Sequence, residues 1–228
     1  MRFEGFVLAA ATVDLAEEPA AREHADAIEF RMDGASDPLA ILDDYDGELP
    51  VIATNRPTWE GGDREDGEDR IDELRAAIDH DAVEAVDLEL RALEGDGSGR
   101  ADATEVLARA RAEDVSTIVS FHDFNSTPPM RELADLVGET TTIGDVGKVA
   151  VTAEHTGQVL DVLRVTYEYA TAGQRVATVA MGPQGRHSRA VAPIYGSSIG
   201  YAPLDPENAT APGQYDLAHL RALVDALL

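Results

Sequence analysis

The chain has 228 residues, 44% of them hydrophobic, which is enough for one sizeable core. Its formal charge of −26 excludes the basic patches that nucleic acids and anionic membranes require, and the absence of cysteine excludes disulfides and thiolate chemistry. Acidic residues run along the whole length beside abundant alanine, the composition of a folded protein adapted to high salt. At about 1 M salt the Debye length is only about 3 Å, so such self-repulsion is screened.

Short apolar runs alternate with helical patterns throughout. A first strand is predicted at 3–13; its apolar run, Phe6 to Val13, follows Glu4 without a basic flank and reads as a strand, not a secretion signal. A helix at 18–26 follows. Strand 27–33 precedes helix 37–44, strand 50–56 precedes helix 68–80, and strand 85–90 precedes helix 103–113, which Asp102 and Thr104 can cap. Strand 117–124 leads to a helix at 129–137, opened by Pro128 and Pro129. Strands 146–153, 175–182 and 199–204 precede helices 156–172, 187–195 and 215–227. Gly61–Asp69 and Gly95–Arg100 read as polar loops. Eight such units predict a compact α/β fold, a (β/α)8 TIM barrel forming one catalytic domain over 1–228, with a doubly wound open sheet as the runner-up. No apolar run approaches the ~20 residues of a membrane span, so a cytoplasmic protein is expected.

Lys148 is the only lysine, set in the apolar run GDVGKVAVTA. Arginine supplies charge and hydrogen bonds but stays protonated, whereas a lysine amine can attack a ketone and form a Schiff base. A sequence that keeps one lysine among many arginines points to that chemistry. Strand parity adds company. Glu29 and Arg31 share a face, as do Ser120 and His122, and as do Lys148, Ala150 and Thr152. Glu29, Arg31, Arg56, Glu89, His122 and Lys148 therefore converge on one barrel mouth, where such barrels keep their active sites. The remaining histidines show no metal-ligand spacing, with His187 the one nearest a candidate site residue, Arg189. Gly147-Lys148 is not a phosphate loop, because Thr142 and Val149 break that pattern.

Seven segments in order carry a resemblance: Glu29-Phe30-Arg31-Met32-Asp33; Arg56 with Glu60-Gly61-Gly62; Asp87-Leu88-Glu89-Leu90; Ser120-Phe121-His122-Asp123-Phe124; Gly147-Lys148-Val149-Ala150; Met181-Gly182 with Ser188-Arg189; and Ala211-Pro212-Gly213-Gln214. In these the chain resembles the type I 3-dehydroquinate dehydratases, Schiff-base lyases of the shikimate pathway of aromatic amino-acid biosynthesis. The resemblance implies an imine between Lys148 and the C3 ketone of 3-dehydroquinate, a small anionic substrate. It implies that His122 shuttles protons, that Glu60 tunes His122, and that Glu29, Arg31 and Arg56 hold the ring and its hydroxyls. Arg189 would pair with the carboxylate, Thr210 would fill a slot that is serine in the family, and Gln214 would close over the substrate. No metal and no organic cofactor is implied, and a homodimer is compatible with it. Arginines and an apolar wall are expected around Lys148.

Three departures stand out. Alanines at 9–11 replace a family serine, an extra loop around Gly95–Arg100 follows Asp87-Leu88-Glu89-Leu90, and the N-terminus is too short for the hairpin that plugs the barrel in longer members. A class I aldolase-type lyase and a non-catalytic binding protein on the same scaffold are the competing readings.

Overall fold

A computed structural model describes residues 1–94, 101–204, 211 and 213–228. Eight parallel strands form one sheet: β1 (Val7–Thr12), β2 (Ala27–Arg31), β3 (Val51–Thr54), β4 (Val83–Glu89), β5 (Ser116–Asp123), β6 (Val146–Thr152), β7 (Val176–Met181) and β8 (Ile199–Pro203). Their order is β7-β6-β5-β4-β3-β2-β1-β8, so the first strand pairs with both the second and the last. That closure is a barrel and excludes the doubly wound sheet. The ring is nearly but not fully bonded: among the described residues β7 and β8 share one isolated bridge, Val176 with Ser197.

The helices are α1 (Pro38–Asp43), α2 (Glu68–Ala77), α3 (Leu90–Leu93), α4 (Thr104–Ala112), α5 (Met130–Ile143), α6 (Thr156–Thr171), α7 (Gly182–Gly185), α8 (Ser188–Val191) and α9 (Leu217–Asp225). Two predicted helices come out differently. The stretch predicted at 18–26 is a 3-10 helix, Leu15–Ala20, with Pro19 inside it, where the ring denies the backbone a donor. The stretch at 187–195 divides into α8 and a 3-10 segment, Ala192–Tyr195, entered through Pro193. At α4 the N-cap position is Ala103, without a side-chain cap bond, and Asp102 just before it accepts the Thr104 N–H at 2.8 Å.

Side-chain alternation separates two cores. Leu8, Ile28, Phe30, Val51, Ala53, Val86 and Leu88 face the helices. Their neighbours Ala9, Ala27, Ile52, Ala85, Ile118, Val146, Ala177 and Ile199 point inward and form an apolar floor. Small residues at 9, 27, 85 and 177 leave room there, and Phe3 fills it, packed with Met1 beneath the floor. Met1 and Phe3 thus cover this end of the barrel. One inward step higher along the strands stand Glu29, Thr54, Asp87, Ser120, Lys148, Val179 and Tyr201, so polarity begins immediately above the floor.

The charge of −26 makes salt dependence a direct expectation. At about 0.01 M salt the Debye length is about 30 Å, so carboxylates repel across the whole surface and oppose compaction. Raising potassium chloride into the molar range should raise the melting temperature followed by circular dichroism. A flat or falling temperature would contradict the halophilic reading.

Candidate active site

The pocket at the C-terminal mouth of the barrel is lined by Glu29, Arg31, Arg56, Glu60, His122, Lys148, Arg189 and Gln214, together with Gly61, Phe124, Ala150, Val179, Met181, Tyr201 and Ala211. Eight of the nine predicted site residues therefore meet in one place; Thr210 lies outside the described residues. Glu89 does not line the pocket: it is fully buried against Arg56 and Arg70. His187 is exposed and does not line it either.

Lys148 is carried by β6 and is only 6% exposed. Its Nζ donates to Asp87 Oδ2 at 2.9 Å, lies 3.6 Å from Glu29 Oε1, and sits 4.1 Å from the centre of the Tyr201 ring. These neighbours correct the expectation of arginines at the amine, while Ala150, Val179 and Met181 supply apolar wall to the same pocket. The charges touching the amine are carboxylates, because two acidic strand positions face inward at the same height. Arg56 reaches the site through them. Its guanidinium donates to Glu89 Oε1 and Ser120 Oγ, both at 2.7 Å, and lies 2.8 Å from Asp87 Oδ1.

His122 stands on β5 one inward step above Ser120, and Ser120 is registered with Lys148 on β6. Its Nδ1 is 3.0 Å from Glu60 Oε1, which also accepts the His122 backbone N–H at 3.1 Å. Nε2 is left as the ring nitrogen not engaged by Glu60. Glu60 ends a 3-10 turn, Thr58–Glu60, and the chain leaves it through Gly61 at φ 80°. A side chain on Gly61 would strike the Phe124 ring, which stacks on His122 with centroids 5.9 Å apart. Burial pushes the Glu60 carboxyl up to about 8, against the opposing charge of Arg56. Burial, with the charges of Arg56 and Lys148, holds the His122 imidazole well below its ordinary 6.5. Both shifts favour a neutral imidazole near pH 7.

Two further cations line the pocket, one from β2 and one from the segment after β7. Arg31 is held by a two-point pair with Asp33, at 2.9 and 2.7 Å. Arg189 enters from α8, only 6% exposed, and burial lowers its pKa to about 10. Gln214 follows β8 and accepts the Ala211 N–H at 3.1 Å. Gly213, at φ 82°, lets this loop approach the exit of β7: a Cβ there would lie 2.8 Å from the Gly182 carbonyl oxygen. Among the described residues no cluster of three or more His, Asp or Glu could hold a metal, and no helix is long and apolar enough to cross a membrane.

Sequence reasoning gave Asp87, Tyr201 and Arg91 no roles. Asp87 was detectable, since it shares strand parity with Glu89. Tyr201 follows the same rule on β8, its ring facing the amine. Arg91, 3.8 Å from Glu60 Oε2 and over the Phe121 ring, lies beyond strand parity, at the start of a short helix.

The model of the type I 3-dehydroquinase family matches residues 7–227. The chain is 57% identical over 224 residues to a 3-dehydroquinate dehydratase of Halobacterium salinarum, with 98% of each chain covered. It is 56% identical over 227 residues to one of Haloarcula marismortui, covering all of this chain and 98% of the relative. Among solved structures it is similar to 3-dehydroquinate dehydratase from Geobacillus kaustophilus, with a TM-score of 0.83 and 25% identity over 98% of this chain and 91% of that one.

Proposed function

Because this chain belongs to the type I 3-dehydroquinase family, hydro-lyases of the shikimate pathway, we propose that it dehydrates 3-dehydroquinate through an imine on Lys148, with His122 moving the protons. The observation that carries this reading is the placement of the only lysine side chain at the pocket floor, one strand away from a histidine whose Nδ1 faces Glu60. Membership of an enzyme family disfavours the binding-protein alternative, and the Glu60-tuned histidine favours the dehydratase over an aldolase.

In the proposed course Nζ attacks C3, the carbonyl oxygen departs as water, and an iminium remains. The iminium draws electrons from the C2–H bond, so a neutral imidazole suffices to take that proton. The C2–H electron pair forms an enamine. The enamine then expels the C1 hydroxyl, which leaves as water after His122 returns the proton. Hydrolysis of the conjugated iminium releases 3-dehydroshikimate and the amine. Glu60 orients the imidazole throughout. Glu29, Arg31 and Arg56 face the ring hydroxyls in this reading, Thr210 takes the slot of the family's serine, and Gln214 closes over the substrate.

The test uses two readouts. Addition of 3-dehydroquinate should produce ultraviolet absorbance from the conjugated enone. Borohydride added during turnover should leave a ligand-sized mass on the peptide containing Lys148. Turnover without any adduct would overturn the imine route.

Arg189 is assigned to the substrate carboxylate. Burial disfavours its cation, and a substrate carboxylate beside it favours the charged form. A planar guanidinium also matches a carboxylate in two-point geometry. Losing one partner of a desolvated charge pair costs about 2–5 kcal/mol. Arg189→Ala should therefore raise KM by about 30-fold or more, with a smaller change in kcat. An unchanged KM would move the carboxylate to another cation.

A further inference from the structure

We propose that Asp87 is the counter-ion of the Schiff base, holding the proton on the imine nitrogen of Lys148 while the carbon skeleton reacts. The inference rests on the reading that Lys148 forms the imine, and goes beyond it by assigning the group that keeps the imine charged.

The two oxygens of Asp87 have separate partners. Oδ1 accepts the Ser120 hydroxyl at 2.6 Å and lies 2.8 Å from the Arg56 guanidinium. Oδ2 accepts Lys148 Nζ at 2.9 Å. The carboxylate is fully buried, so no solvent dilutes its field. Burial alone would favour its neutral form. The charges of Arg56 and Lys148, with the Ser120 hydrogen bond, outweigh that and hold it well below the usual carboxylate range. Arg56 and Ser120 do not leave when the amine reacts, so the carboxylate stays ionised through the cycle.

The chemistry needs such a group. When Nζ bonds to C3 and the carbonyl oxygen leaves as water, the nitrogen retains a single N–H. Only with that proton does the C=N unit carry the positive charge that accepts the C2–H electron pair. Loss of the proton gives a neutral imine, a far weaker acceptor. As His122 takes the C2 proton, the electrons move to nitrogen and give a neutral enamine whose N–H still points at Oδ2. Departure of the C1 hydroxyl, with the proton returned by His122, restores the charge. Asp87 neither gains nor loses a proton in this sequence.

The charged and titratable groups around the nitrogen are Glu29 on β2, Arg56 after β3, His122 on β5 and Tyr201 on β8, with Glu89 on the same strand as Asp87. Glu29 is the competing counter-ion. It lies farther from Nζ, at 3.6 Å, and the same oxygen accepts the Thr54 hydroxyl at 3.2 Å.

Cyanoborohydride separates the roles, because it reduces protonated imines and spares neutral ones. In wild type with 3-dehydroquinate, the Lys148 adduct should form equally well from neutral into alkaline pH. In Asp87→Asn, borohydride should still give the adduct. Cyanoborohydride trapping should fade as pH rises, the alkaline limb of kcat should move down by about one unit or more, and kcat at neutral pH should fall by about tenfold or more. Glu29→Gln should leave the pH dependence of trapping unchanged. An Asp87→Asn profile matching wild type, or a shift in Glu29→Gln instead, would overturn the assignment. A wild type that yields no adduct with either reagent would overturn the lysine reading, and this proposal with it. The sole lysine provides a measurement independent of any variant. With [15N]lysine-labelled wild type and excess 3-dehydroshikimate, the single side-chain nitrogen signal should report a protonated imine well into the alkaline range; a neutral imine at pH 7 would refute the counter-ion.

Discussion

Lys148→Ala is expected to abolish both turnover and the borohydride adduct, lowering kcat by about 10⁴-fold or more, the scale on which covalent nucleophiles act. Without the amine the C3 ketone must accept the C2–H electrons unaided. The variant should keep its barrel. Asp87, the partner left behind, still has Arg56 and Ser120, so no buried charge is stranded. Circular dichroism in molar salt should therefore match wild type. The N-terminal amine is the one other amine available to the reagent, so mapping the labelled peptide decides the site. A folded Lys148→Ala protein with turnover near wild type would disprove the covalent route.

His122→Ala carries the next largest effect. Positioned acid–base groups contribute about 10²–10⁴-fold, and His122 is asked to act in two proton transfers. The variant should still bind substrate and accumulate the Lys148 adduct, because loss of the base blocks elimination more than imine formation. A loss below about tenfold would transfer the shuttle to Glu60 or to a water. The pH profile supplies the sign. The imidazole is held below its ordinary 6.5, so it remains a neutral base until the pH falls beneath that value. The acid limb of kcat/KM should accordingly lie below 6.5 in wild type. Glu60, pushed up to about 8, supplies a full counter-charge to the imidazolium only as pH rises through that value.

The strands were legible because each is a short apolar run with a period of two, and the inward steps along them carried Glu29, Ser120, His122 and Lys148 to one mouth. The helices that failed are those where proline interrupts the pattern. Pro19 and Pro193 turn expected helices into 3-10 segments whose packing, not periodicity, decides their ends. Most of the site's roles came from matched motifs; the structure adds which groups touch. Asp87 and Lys148 are 61 residues apart, and nothing local in either segment announces their pairing. For the same reason the surroundings of Lys148 were misjudged. Arginines were expected beside it, whereas the guanidinium of Arg56 is taken up by Asp87, Glu89 and Ser120.

The seam between β7 and β8 gives the barrel a mechanical direction. Seven of the eight strand junctions are hydrogen-bonded ladders, of which β3–β4 shifts register between Val51 and Ile52. The eighth is one bridge at the floor, so the upper ends of β7 and β8 are the most compliant part of the ring. From those ends spring the segments bearing Arg189 and Gln214, and between them Gly213 approaches the Gly182 carbonyl with no side chain to wedge them apart. The barrel is therefore stiff where bonds are made and broken and yielding where a ligand must enter and leave.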